Sequence, residues 1–134
     1  MSGVEAFTHR DAEFSAIGKA AGDALVLELE GTADARAVDA LGRVLRELHE
    51  HALATRATKV TIDFRETEFM NSSCFKAFVV WITAVQDEPP ERQYRMVFLS
   101  NPQFHWQRRS LHALACFAAD LIELDTATET PPKP

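Results

Sequence analysis

Glycine is scarce in this 134-residue chain, and none occurs after Gly42. That absence removes both phosphate-cradling loops, GxxxxGK[ST] and GxGxxG, and the G-x-S-x-G elbow that presents a nucleophilic serine. A hydrolytic triad of Ser72 or Ser73 with a histidine and Asp63 therefore lacks its defining turn. An oxyanion hole needing close backbone approach is also harder to build. Cysteine is limited to Cys74 and Cys116, both on apolar stretches of expected helices, which reads as two buried free thiols. The five histidines have no CxxC or HExxH spacing around them, so neither a metal nor another cofactor is expected. Positive charge is in deficit, with 14 Lys and Arg against 20 Asp and Glu and a net charge of −6. That balance argues against nucleic acid and against an anionic membrane surface as partners. No apolar run approaches the ~20 residues that span a bilayer. The opening MSGVEAFTHRDAEF lacks the basic-then-apolar layout of a signal peptide, so the expected compartment is the cytoplasm.

What is present reads as one ordinary globular domain, with 46% hydrophobic and 25% charged residues. Residues 1–11 are expected to be a flexible N-terminus, 12–125 the domain, and 126–134 a disordered Pro- and Thr-rich tail. Glu13 to Ile17 reads as a first strand, with Gly18 to Asp23 as its turn. In Ala24 to Glu30 (ALVLELE), Leu25, Leu27 and Leu29 alternate with Val26, Glu28 and Glu30, a strand signal. Gly31-Thr32-Ala33-Asp34 breaks that strand and can cap a helix. Val38, Leu41, Leu45 and Leu48 then recur at helical spacing, predicting a helix from about Ala35 to Ala52 with a charged outer face. Glu47, His49, Glu50 and His51 read as its solvated end.

Thr58 to Phe64 is β-branched and predicts a strand, after which a short polar turn leads to Asn71-Ser72-Ser73. Phe75, Phe78, Val79, Ile82 and Val85 continue from there at helical spacing until Glu88-Pro89-Pro90. Only Lys76, Thr83 and Gln86 interrupt the apolar sides of this helix, which predicts that it is largely buried. Its first turn carries unpaired N–H groups, which Asn71 or Ser72 can cap. Tyr94 to Ser100 predicts a strand, and Asn101-Pro102 a capped start for a helix from about Gln103 to Phe117. Phe104, Leu111, Leu114 and Ala115 are expected to face inward there, with Arg108 and Arg109 outward. Asp120 to Leu124 predicts a last strand. His105, Trp106, Arg108 and Arg109 could meet a phosphate, although a solvated face with the tryptophan packed beneath it is the simpler reading. The alternation implies an α/β fold: a mixed, mostly parallel sheet of about five strands with flanking helices and an antiparallel edge strand.

VLELEGTAD, KVTIDFRETEFMNSSCFKAF and YRMVFLSNPQFHWQRRSLHAL, in that order, resemble a STAS domain. That is the domain of bacterial anti-sigma factor antagonists and of sulphate-transporter tails. The resemblance covers about Ala24 to Leu124 and implies a single STAS-like domain. Gly31-x-x-Asp34 is similar to the family's G-x-x-D after the second strand. Asn71-Ser72-Ser73-Cys74 is similar to its D-S-[ST]-G loop, with Asn71 and Cys74 in place of the usual Asp and Gly. Ser72 matches the position that a partner kinase phosphorylates in the family, with Ser73 as second choice.

The resemblance thus implies a non-enzymatic partner-switching regulator, akin to an anti-sigma factor antagonist, in bacterial signal transduction. Asp34, Asn71, Ser72, Ser73 and Lys76 would contact a serine kinase or anti-sigma-like protein, and a PP2C-type phosphatase could reset the switch. A homodimer is left open. The competing reading is a STAS scaffold or binding module in a signalling assembly that is never phosphorylated.

Overall fold

A computed structural model describes residues 7–126, so expectations for residues 1–6 and 127–134 lie outside the described residues. One six-stranded sheet organises them, with strands side by side in chain order. The strands are β1 (His9–Arg10), β2 (Phe14–Ala21), β3 (Ala24–Ala33), β4 (Lys59–Met70), β5 (Arg95–Ser100) and β6 (Ile122–Thr126). The helices are α1 (Val38–Thr55), α2 (Ser72–Gln86) and α3 (His105–Ala115). β1, β2 and β3 pair antiparallel, and β3 to β6 pair parallel. Each parallel pair is bridged by one helix. Right-handed crossovers between strands in sequential order put all three helices on one face.

That face holds the core. Leu25, Leu27 and Leu29 of β3, Val60, Ile62 and Phe64 of β4, and Met96 and Phe98 of β5 are buried beneath the helices. Leu41, Leu45, Leu48 and Ala52 from α1, and Phe78, Ile82 and Val85 from α2, close over them. Phe64, Phe78 and Phe98 stack mutually, with ring centroids 5.5 to 6.4 Å apart. Such aromatic pairs contribute roughly 0.5–1.5 kcal/mol each beyond the area they bury. Among the described residues no helix is long and apolar enough to cross a membrane.

The packed domain begins earlier than residue 12. Phe7 is fully buried, and the edge strand β1 follows it. Gly18 lies within β2, paired with Leu27, rather than in a turn, and a side chain there would collide with the Phe7 ring and carbonyl. The chain reverses at Gly22-Asp23, where Gly22 supplies the positive φ of a two-residue hairpin.

Other boundaries also move. Gly31 does not end β3; with φ +97° it carries the strand on to Ala33. β4 likewise continues through Arg65–Met70 instead of turning after Phe64. Two register shifts against β3 make this stretch look polar, since each extra residue on β4 resets the inward–outward alternation. Asn101-Pro102 forms a turn, with the Asn101 side chain accepting from the Gln103 N–H at 2.9 Å, and α3 starts only at His105. The last strand begins at Ile122 rather than Asp120. Cys74 is buried as expected, whereas Cys116 is exposed on a single 3-10 turn after α3.

The helix from Ser72 is buried on one side only. Cys74, Phe78, Trp81, Ile82 and Val85 face the core, and Val80 is 70% exposed. His49 is not solvated: its Nδ1 lies 2.7 Å from the Tyr94 hydroxyl and its Nε2 3.3 Å from a Glu88 oxygen. Trp81 donates its indole N–H to the same Tyr94 oxygen at 2.9 Å. The Tyr94 hydroxyl thus ties α1 and α2 to the start of β5.

Candidate functional site

β3 and β4 outrun their neighbour. β5 pairs only with Lys59–Asp63 of β4, so Arg65–Met70 has a strand on one side and none on the other. Side chains fill the vacant edge. Asn101 Nδ2 donates to the Arg65 carbonyl at 3.0 Å, and the Trp106 indole donates to the Glu68 carbonyl at 2.9 Å. Gln107, fully buried, donates from Nε2 to the carbonyls of Phe64 (2.7 Å) and Thr67 (3.0 Å). Its Oε1 accepts the Asn101 N–H at 2.8 Å. Thr67 Oγ1 donates across to the Leu29 carbonyl at 3.0 Å. The Asn101, Trp106 and Gln107 bonds stand in for the missing strand ladder, and the Thr67 bond spans the register shift against β3.

The braced ribbon delivers Asn71 to the first turn of α2. The Asn71 N–H donates to the Ala33 carbonyl at 2.7 Å, fixing the turn to the end of β3. Asn71 is in extended conformation, and its Oδ1 accepts from the Ser73 N–H at 2.8 Å. It is thus the helix cap, and Ser72 is the first helical residue. The same Oδ1 accepts the Ser73 hydroxyl at 2.5 Å. Ser72 is exposed, and its hydroxyl makes no hydrogen bond among the described residues.

Cys74 turns away from this surface. Its thiol is fully buried, aimed at the carbonyls of Ala33 (3.8 Å) and Asp34 (3.6 Å). Burial pushes the thiol pKa up, with the nearby Asp34 charge adding to the effect. The Cys74 side chain therefore fills space beneath the turn and leaves the outside of the turn unobstructed.

Asp34 lies at the same end of the sheet, where β3 leads into a 3-10 turn, Ala35–Ala37. Its carboxylate caps that turn by accepting the Arg36 N–H at 2.9 Å, and it also takes the Arg36 guanidinium at 2.9 and 3.1 Å. Arg36 bridges onward to Glu13 at 2.6 Å. The Arg36 side chain first, and its N–H second, hold the Asp34 carboxyl below the usual range.

Asp34, Asn71, Ser72 and Ser73 thus converge at the carboxyl ends of β3 and β4. Lys76 is one helical turn further along, on the wall of the α1–α2 trough. Sequence reading missed Gln107, although its position on the Phe104–Leu111–Leu114 stripe is a usable signal. Arg108 and Arg109 face outward, while Trp106 packs edge-on to Phe75 at 6.1 Å and belongs to the brace. No group of three or more potential metal ligands occurs among the described residues.

No family model matches the sequence, and no curated protein matches it. A structural match is found with an anti-sigma factor antagonist from Mycobacterium paratuberculosis. It aligns with a TM-score of 0.62 at 14% identity, over 87% of this chain and 88% of that one. At that identity the likeness is one of architecture, and it agrees with the mixed sheet and the three flanking helices. This chain has a STAS-like fold, the fold of that anti-sigma factor antagonist.

Proposed function

We propose that this protein is a non-enzymatic, partner-switching regulator whose switch is phosphorylation of Ser72. One observation carries the choice of residue. Asn71 occupies both the N–H and the hydroxyl of Ser73, while the Ser72 hydroxyl stands exposed beside it. A serine kinase or anti-sigma-like protein binds the unmodified surface formed by Asp34, Asn71, Ser72, Ser73 and Lys76, and a PP2C-type phosphatase resets it.

Magnitudes favour switching the partner over switching the fold. A phosphate on Ser72 adds about −1.5 to −2 charges at neutral pH. At the exposed start of α2 the helix dipole favours it by only ~0.3–1 kcal/mol, so the fold is retained. Inside an interface the same charge must be desolvated, and an unpaired charge there costs roughly 2–5 kcal/mol. Support for the protein's class comes from its fold, which it shares with the anti-sigma factor antagonist.

The test is phosphorylation by the cognate kinase with mass-spectrometric site mapping, followed by partner binding. Ser72→Asp should keep the wild-type melting curve and lose the partner, and Ser72→Ala should bind constitutively. Equal partner affinity of the two variants would sink the switch. A stable assembly containing only unmodified protein from cells would favour the scaffold reading instead.

A further inference from the structure

α1 and α2 run side by side, and between them lies an open trough of about 450 Å³. Small residues make it. Gly42 on α1 has open space where a Cβ would point, and Ala77 and Ala84 line the opposite wall. Val80, 70% exposed, is the most exposed large apolar side chain among the described residues, and it stands in this trough. The rim is basic. Arg46 from one wall and Lys76 from the other form no ion pair among the described residues, and Asp39 is the one carboxylate lining the trough. Two unpaired cations around an apolar floor run against the net charge of −6 carried by the whole chain.

We infer that the trough between α1 and α2 docks an acidic amphipathic helix of a partner protein. Shape argues for a helix, because a groove between two packed helices accepts a third by interleaving side-chain ridges. The lining runs from Val38 to His49 on α1 and from Lys76 to Ala84 on α2. At 1.5 Å per residue that is roughly 12–17 Å, or two to three helical turns. Charge argues for acidity: carboxylates flanking an apolar stripe reach Arg46 and Lys76 while the stripe covers Val80. A second copy of this chain is disfavoured as the occupant. Two-fold self-docking would set each basic rim against itself, and each copy already carries the same negative charge. The inference goes beyond the Ser72 switch and requires no modification of Ser72.

The experiment titrates the full, unmodified chain with a peptide of about 15 residues, the length of some four helical turns. The peptide carries leucines at helical spacing flanked by Glu, and a twin carries Lys in place of every Glu. Amide shifts are followed by NMR. Saturable shifts concentrated on Gly42–Arg46 and Lys76–Ala84, seen with the acidic peptide only, are expected. Arg46→Glu with Lys76→Glu should weaken binding by about tenfold or more, and Val80→Ser should weaken it while leaving its salt dependence unchanged. The free-chain spectrum of each variant confirms that the fold is intact. Equal binding of the basic twin, undiminished binding by the double variant, shifts centred elsewhere, or no saturable shift would each overturn the inference. So would concentration-dependent shifts at the trough without peptide, which would mean that a second copy covers it. Failure here leaves the Ser72 test untouched, and the reverse also holds.

Discussion

Asn71 holds Ser73 twice, accepting its N–H at 2.8 Å and its hydroxyl at 2.5 Å through one carboxamide oxygen. Removing that oxygen has two separable consequences. Asn71→Ala should lose about 0.5–2 kcal/mol of stability, the usual cost of deleting a cap, read by denaturant unfolding. It should also release the Ser73 hydroxyl, so that phosphosite mapping finds both serines labelled where the wild type shows Ser72 alone. Labelling confined to Ser72 in the variant would mean that the hydrogen bond does not choose the site.

Gln107 is fully buried and serves two β4 carbonyls and one loop N–H. Gln107→Leu keeps much of the volume and strands all three groups. Each buried unsatisfied group costs roughly 1–3 kcal/mol, so the two buried carbonyls alone set a loss of at least about 2 kcal/mol in equilibrium unfolding. A neutral result would show that water or a backbone shift replaces the side chain.

The Asp34 carboxyl is held low by Arg36, so the folded state binds fewer protons there than the unfolded state. Its stabilising contribution is therefore complete above the ordinary carboxylate range and is lost as pH falls through the depressed folded value. Arg36→Ala should raise the Asp34 titration midpoint towards that of a free aspartate, followed by carboxyl NMR. An unmoved midpoint would assign the depression to the backbone cap alone.

The two thiols should differ sharply. Cys116 is exposed, whereas Cys74 is buried with its thiol pKa pushed up. Thiolate is the reactive form, so an alkylating agent at neutral pH should label Cys116 in the native protein and Cys74 only on unfolding. Rapid double labelling of the native chain would show that the turn opens readily.

Gly31 sits at φ +97°, and an added Cβ would strike the carbonyl of Glu13, the residue just before β2. Gly31→Ala should cost more than the ~1 kcal/mol typical of a backbone-entropy change, with the β2–β3 end loosened first. Hydrogen exchange at Thr32, whose N–H donates to Glu13 at 2.8 Å, reads that loosening directly.

Regular periodicity made much of the fold readable. Leu25, Leu27 and Leu29, or Leu41, Leu45 and Leu48, announce their element because each repeats the period of one buried face. The failures share a cause. Glu66, Thr67 and Met70 belong to a strand whose alternation is reset by its own bulges, and a local pattern cannot show where a strand slips against its partner. His49 and Gln107 are polar residues satisfied by groups distant in sequence, so their burial is set by Tyr94 and β4 rather than by their neighbours. The turn before α2 was legible as a helix start, since Asn and Ser favour that position whatever surrounds them. Which serine remains free was not, because it depends on the rotamer of Asn71.

The sheet is laid out in chain order, and this bears on how the molecule is made. Each new strand finds its neighbour already in place, separated by a hairpin or a single helix, so most pairing can accompany synthesis. The brace is the exception, because the carbonyls of Phe64 and Thr67 wait for Gln107, some forty residues downstream. During translation the turn bearing Ser72 is complete as a sequence before it is rigid as a surface. A kinase that requires the fixed turn would therefore act on finished chains and pass over nascent ones.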